Sequence, residues 1–327
     1  MSYSDTNAFT EHAPKAFRRA RSGRYRDQIP DSRKGDLLVA RGWRAAGLLG
    51  VGLGLLGLWR YRSAALLGLG ATGLLGALYT TMVEPRRPWL ERLTLHLPGL
   101  PPALDGLRIG QISDPHLGMP YAARNLAWAV TQMRREQPDL LALTGDFVSF
   151  HTAMPHLGPL LRGLEAPLGV YAVPGNHDYW EGLDELHAML EPLGVQLLLN
   201  EHRRLAWCGG ELWLAGLDDI WEGEADLAGA LRGVPPGAFT VLLCHAPDAA
   251  DEAARHGVAL QLSGHTHGGH LRLPLLGPAA RPRYGVTYVA GRYQVGDMAL
   301  YVSRGLSGLP ARFGCPPEAA ILTLRPA

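Results

Sequence analysis

Five short histidine- and carboxylate-bearing motifs follow one another along the second two-thirds of the chain. They are Asp114-Pro-His116, Gly145-Asp146, Gly175-Asn176-His177-Asp178, His245 and Gly264-His265-Thr266-His267. Apolar runs end at or just before them: Leu107–Ser113, Leu140–Thr144, Val170–Pro174, Val241–Cys244 and Val258–Ser263. Each motif therefore reads as the C-terminal end of a buried strand opening into a loop, where α/β sheets place their chemistry. Imidazole, carboxylate and carboxamide together suit Mn, Fe or Zn rather than a thiolate site, with Mn favoured. Two adjacent divalent cations need about four protein ligands each, with one shared and a position left for water or substrate. Asp114 and His116, two residues apart, project the same way if the segment is extended, so both can reach one ion. Asp146 can bridge with its two carboxylate oxygens, Asn176 offers a carbonyl oxygen, and His245, His265 and His267 offer ring nitrogens. His265 and His267 repeat the two-apart spacing, although an irregular loop would divide them between the metals. His177 is not needed as a ligand and is free to serve as general acid or electrostatic clamp. Asp178 and His270 are read as lining the site. His12, His96, His151, His156, His187, His202 and His256 lack such settings and read as ordinary histidines.

In motif content and order, D-x-H, GD, GNHD, a lone H and GHxH, the chain resembles the calcineurin-like metallophosphoesterases. The resemblance covers residues 84–327 and is nearest to a membrane-associated bacterial branch of small phosphodiesterases and lipid-A-precursor pyrophosphatases. It implies an αββα sandwich and a binuclear site. One metal would be held by Asp114, His116, Asp146 and His267, the other by Asp146, Asn176, His245 and His265, with His177 as the catalytic histidine. Two departures are visible. Pro115 replaces a more usual aliphatic residue, and no acidic residue follows Gly145-Asp146, where the chain reads Phe147-Val-Ser149.

The elements that must position these residues show the expected alternation. Tyr121–Gln137 has helical spacing and ends before Pro138; Leu183–Leu190, Ala225–Leu231 and Pro247–Arg255 read as further helices. Val286–Ala290, Ala299–Val302 and Ala320–Leu324 read as late strands without long helices between them. β-α alternation followed by consecutive strands predicts an α/β fold of two mixed sheets flanked by helices.

Of 327 residues, 47% are apolar, ample for a core, and three cysteines are too few and scattered for a disulfide framework. Residues 1–44 hold 10 Lys/Arg against 5 Asp/Glu, a net of +5, and the remaining 21 against 25 give −4. A mildly acidic catalytic region argues against a nucleic-acid groove, and none is expected. Residues 1–42 read as a basic, disordered tail. Two uncharged apolar runs follow, Ala45–Trp59 and Ser63–Val83, of 15 and 21 residues. As helices they would measure ~22 Å and ~31 Å against a ~30 Å hydrocarbon core. Small residues every fourth position favour a membrane helical hairpin over a single span. The excess of flanking arginines then places the domain, residues 105–327 after a linker over 84–104, on the cytoplasmic side of the cell membrane. The expected function is metal-dependent hydrolysis of a phosphodiester or pyrophosphate, on a lipid-linked phosphate ester at the membrane surface. The alternative is a membrane-tethered, non-catalytic scaffold.

Overall fold

The computed structural model describes Gly52 and residues 64–327 except Pro274. The tail over 1–42 and, apart from Gly52, the first apolar run lie outside these residues, and so do the hairpin reading and the cytoplasmic placement built on it. From Ala64 the chain is α-helical to Leu78, fifteen residues, or about 22 Å. It then widens into a π-helical turn at Tyr79–Val83 and tightens into a 3₁₀ turn at Glu84–Arg86. No helix among the described residues is long and apolar enough to cross a membrane. The single regular helix expected over 63–83 changes type at Tyr79 because that end is tied to the domain. The Thr80 and Thr81 hydroxyls donate back to the Ala77 carbonyl, and the Thr80 carbonyl accepts from the Arg312 amide.

The segment read as a linker contains a strand, β1 (Trp89–Leu97), at one edge of a six-stranded sheet. Its neighbours, in order, are β14 (Glu318–Pro326), β2 (Arg108–Ile112), β3 (Leu140–Thr144), β4 (Val170–Val173) and β5 (Val195–Leu197). All pairs are parallel except β14 with β2. The second sheet has the order β12 (Gly291–Val295), β13 (Met298–Val302), β9 (Leu260–Ser263), β8 (Thr240–Leu243), β7 (Gly210–Gly216) and β6 (Glu201–Trp207). Its middle pairs are parallel and its edge pairs antiparallel. A two-stranded hairpin, β10 (Arg272–Leu273) with β11 (Gly277–Pro278), stands apart from both.

Strands buried on both faces read as unbroken apolar runs, and Leu140-Leu-Ala-Leu is such a run. One face of the first sheet (Ile109, Leu140, Tyr171) meets one face of the second (Leu214, Val241, Leu262), forming the central core. The other face of the first sheet packs under Leu126, Ala129 and Met133 of the helix Ala122–Glu136 and under Leu186 and Leu190 of Leu183–Leu190. The outer face of the second sheet is covered by Leu227, Ala250 and Ala253. The result is an α/β fold of two mixed sheets with helices outside. One strand expectation shifts: Val286–Ala290 is irregular and the strand follows it at Gly291–Val295. The β6–β7 hairpin was not anticipated; it turns on Cys208 and Gly209, whose φ values of 48° and 83° suit a tight hairpin turn.

Candidate metal centre

The donors stand at adjacent strand ends of both sheets. Asp114, Asp146, His245 and His265 each follow by two residues the last residue of β2, β3, β8 and β9, and Asn176 opens the short helix Asn176–Glu181 after β4. The extended geometry expected for Asp-x-His and His-x-His is not what brings these side chains together. Asp114, His116, Asp146, His265 and His267 all have positive φ, between 45° and 70°. The chain coils left-handedly at these five donors, which aims neighbouring side chains inward from a tight loop. Crowding explains the glycines. A Cβ on Gly145 would lie 2.6 Å from the Gly175 amide nitrogen, and one on Gly264 would collide with the Ser113 hydroxyl and the Asp114 carboxylate.

Two buried donor groups result, Asp114–His116–Asp146–His267 and Asp146–His245–His265, and they share Asp146. His116 Nε2 lies 3.1 Å from His267 Nε2 and 3.3 Å from Asp146 Oδ2. His245 Nε2 lies 3.2 Å from Asp146 Oδ2 and 3.2 Å from His265 Nδ1. The other ring nitrogens of His116, His245 and His265 are held from behind, whereas His267 Nδ1 is buried without a partner. His116 Nδ1 meets Ser149 Oγ at 2.8 Å, His245 Nδ1 the Thr144 carbonyl at 2.7 Å, and His265 Nε2 the Arg283 carbonyl at 2.6 Å. Donating outward fixes each tautomer so that the inward nitrogen presents its lone pair to the site. Asn176 Oδ1 is buried with no hydrogen-bond partner, the condition of an oxygen placed for a cation rather than a donor.

The electrostatics divide the imidazoles. Burial would lower His245, but the Asp146 carboxylate beside it overcomes this and holds that ring well above its ordinary value, whereas the other three are pushed down. Burial, with His245 adding to it for His265, pushes the imidazoles of His116 and His265 down to about 3 and about 4. Burial and then His270 hold His267 far below its ordinary value. Neutral imidazole is the form that ligates. Burial also opposes ionisation of Asp146, yet His245, His177 and His116 overcome it and hold that carboxyl well below the usual range. Burial pushes Asp114 up to about 7, with Asp146 adding and His245 opposing. Divalent cations at this spot would reverse that shift.

Asp178 does not present its carboxylate as a metal donor. It is fully buried and accepts from the backbone N–H groups of Asp146, Phe147 and Gly175, each at 2.8 Å. It binds the loops after β3 and β4 into one body. His177 sits in the first turn of the helix Asn176–Glu181, its ring edge-on to His116 at 4.6 Å and against Trp180 at 4.5 Å, while its amide donates to Asp146 Oδ1. His270 stacks on His267 at 4.6 Å, behind the donors. The ordinary histidines within the described residues belong to neither group. Ser149, in the stretch after Gly145-Asp146 that lacks an acidic residue, orients His116 from behind. The sequence holds that signal three residues past Asp146. Trp221, edge-on to His265 at 6.0 Å and to Trp180 at 5.6 Å, forms an aromatic rim that no motif marked.

Residues 107–269 match the family described as calcineurin-like phosphoesterase. The uncharacterized metallophosphoesterase YkuE of Bacillus subtilis (strain 168) is 35% identical over 254 residues, covering 76% of this chain and 89% of that protein. The phosphodiesterase YaeI of Escherichia coli (strain K12) is 32% identical over 195 residues, 58% of this chain and 71% of that one. A transmembrane protein with metallophosphoesterase domain from Bos taurus is 35% identical over 70% of this chain, which spans 55% of it. With the two sheets and the Asp/His donor groups at their shared end, these matches show that the chain belongs to the calcineurin-like metallophosphoesterase family.

Proposed function

We propose that the protein is a two-metal phosphoesterase that hydrolyses a phosphodiester or pyrophosphate at a membrane surface. The observation that carries this reading is the pair of donor groups sharing Asp146, with the unpartnered Asn176 oxygen alongside. One cation would be held by Asp114, His116, Asp146 and His267, the other by Asp146, Asn176, His245 and His265. The donor chemistry suits Mn, Fe or Zn, and Mn is the ion to try first. Once bound, the pair supplies an acidified water and neutralises charge on the phosphoryl oxygens.

The chain's own residues supply the remainder. His177, edge-on to His116 at the mouth, donates a proton to the leaving oxygen or neutralises charge developing on it. Ser149, the Thr144 carbonyl and the Arg283 carbonyl keep three imidazoles aimed. The Arg283 guanidinium lies over Trp221 at 5.7 Å and Tyr284 at 4.8 Å, a cation at the rim that favours an anionic substrate. The name of YaeI favours a diester. A membrane location is supported by the apolar run over 63–83 and by relatives named as transmembrane proteins, and it suits a lipid-linked phosphate ester.

The test uses the full-length protein in detergent, loaded in turn with Mn²⁺, Fe²⁺ and Zn²⁺. It is offered bis(p-nitrophenyl) phosphate, p-nitrophenyl phosphate and a nucleotide-linked sugar. Hydrolysis of the diester or the pyrophosphate, abolished by a chelator, is the expected result. A protein that binds two metals per chain and cleaves none of the three overturns the reading.

A further inference from the structure

The large apolar side chains that are exposed among the described residues fall in two segments. Leu69, Leu74, Leu75, Leu78, Tyr79, Met82, Val83 and Trp89 belong to the N-terminal helix and its sequel, and Leu273, Leu275, Leu276 and Val286 to the excursion after the metal centre. Leu275 is fully exposed and Leu276 is 80% exposed, both at the tip of the β10–β11 hairpin. A monomeric surface seldom gathers its exposed apolar side chains this way unless something covers them.

The two segments meet at one residue. Phe313 packs edge-on against Tyr79 at 6.2 Å, at the end of the apolar helix. Its carbonyl accepts from Arg272 at the base of the hairpin, and its amide donates to the His270 carbonyl. His270 in turn stacks on His267, a donor of the metal centre. Helix end, hairpin base and metal centre are thus joined through a few residues. The charge of the excursion differs from that of the domain around it. Residues 271–296 carry Arg272, Arg281, Arg283 and Arg292 and no acidic residue, within a region that is otherwise net acidic. Tyrosines at 284, 288 and 293 complete a composition of apolar tip, arginine flanks and amphipathic rings, which suits a lipid headgroup boundary.

We propose that the β10–β11 hairpin is a second membrane contact: Leu275 and Leu276 enter the bilayer beside the apolar helix, and Arg272, Arg281 and Arg283 meet anionic headgroups. Substrate would then reach the metal centre from the lipid surface. The inference rests on the membrane reading above, but its test measures depth rather than turnover, so either can fail alone.

The test places a nitroxide at Leu275→Cys in the full-length chain, with exposed Cys208 replaced by serine, reconstituted in phosphatidylethanolamine–phosphatidylglycerol vesicles. A control label at Glu211→Cys, on the β6–β7 hairpin, reports aqueous exposure. The expected result is loss of collision with an aqueous nickel chelate at position 275, retained collision with oxygen, and full chelate access at 211. Adding Leu276→Asp should return the label at 275 to water while leaving hydrolysis of a soluble diester unchanged. Equal chelate access at 275 and 211 overturns the proposal. So does spin–spin broadening at 275, which would show that a second copy of the chain covers the tip, and so does a label that stays buried with Leu276→Asp.

Discussion

Asp178→Ala in chelator-treated protein separates a structural carboxylate from a metal ligand. Asp178 takes three backbone N–H groups, from Asp146, Phe147 and Gly175, in a fully buried position. Alanine leaves all three without an acceptor, and a buried unsatisfied donor costs ~1–3 kcal/mol. Against this stands a relief, since burial and then Asp146 push the Asp178 carboxyl up to about 8. The low end of the sum, ~3 kcal/mol, is therefore the expected loss. For a domain of this size each kcal/mol moves the melting temperature by ~2–4 °C, which gives a drop of roughly 6–12 °C. Calorimetry of the full-length protein in detergent with excess chelator reads it without any contribution from bound metal. Asp178→Asn keeps an oxygen for two of the three amides and should recover most of the loss. If Asp178→Ala melts within ~2 °C of the parent and only its metal content falls, the carboxylate is a ligand after all and the clamp argument is wrong.

Other substitutions divide the site by role. Asp146→Asn removes the charge shared by both donor groups, so metal content and hydrolysis should fall together; full activity with two metals bound would sink its bridging role. His177→Ala should keep both metals and slow turnover by ~10²–10⁴, the scale of a lost proton donor, and loss of metal would show the residue misassigned. Ser149→Ala leaves His116 Nδ1 without its partner at 2.8 Å and should weaken metal binding by roughly 10–100-fold. Titration of the chelated protein with Mn²⁺ measures that loss, and unchanged affinity would mean that packing alone orients the ring.

Part of this was legible because burial writes itself into residue type. β3 falls where the run Leu140–Thr144 placed it, and the helix Leu183–Leu190 has the bounds its spacing gave. β1 carried a period-two pattern too, Leu93, Leu95 and Leu97 against Thr94 and His96, but the prolines after it suggested a linker. β6, Glu201–Trp207, is an edge strand with a polar face, and its ladder is held by backbone pairing with β7 rather than by an apolar run. At the centre the donor types were readable, whereas the groups that aim them were not. Thr144 and Arg283 act through carbonyls that every residue possesses, so nothing in a side chain marks them. Asp178 was readable as part of a motif, but its direction depends on which amides the fold brings within reach.

The left-handed donors explain why so much backbone is spent holding the centre. Non-glycine residues in that region cost roughly 1–3 kcal/mol each and persist only where their surroundings over-determine them. Five donors share the conformation, so the loops would relax if released singly. They are not released singly. Asp178 fixes the Asp146 loop to the Asn176 turn, the Asp114 amide donates to the Gly145 carbonyl, and the His116 amide donates to the Asp146 carbonyl. On the far side, the amides of Leu306 and Ser307 donate to the carbonyls of Ser113 and Asp114. That last loop is held in turn by Arg312, whose buried guanidinium donates to the carbonyls of Arg304, Ser307 and Cys315. The Arg312 amide donates to Thr80, at the end of the apolar helix. The brace behind Asp114 therefore runs without a gap from the metal centre to the apolar helix proposed to sit at the membrane, so the centre is fixed relative to that helix rather than merely tethered near it.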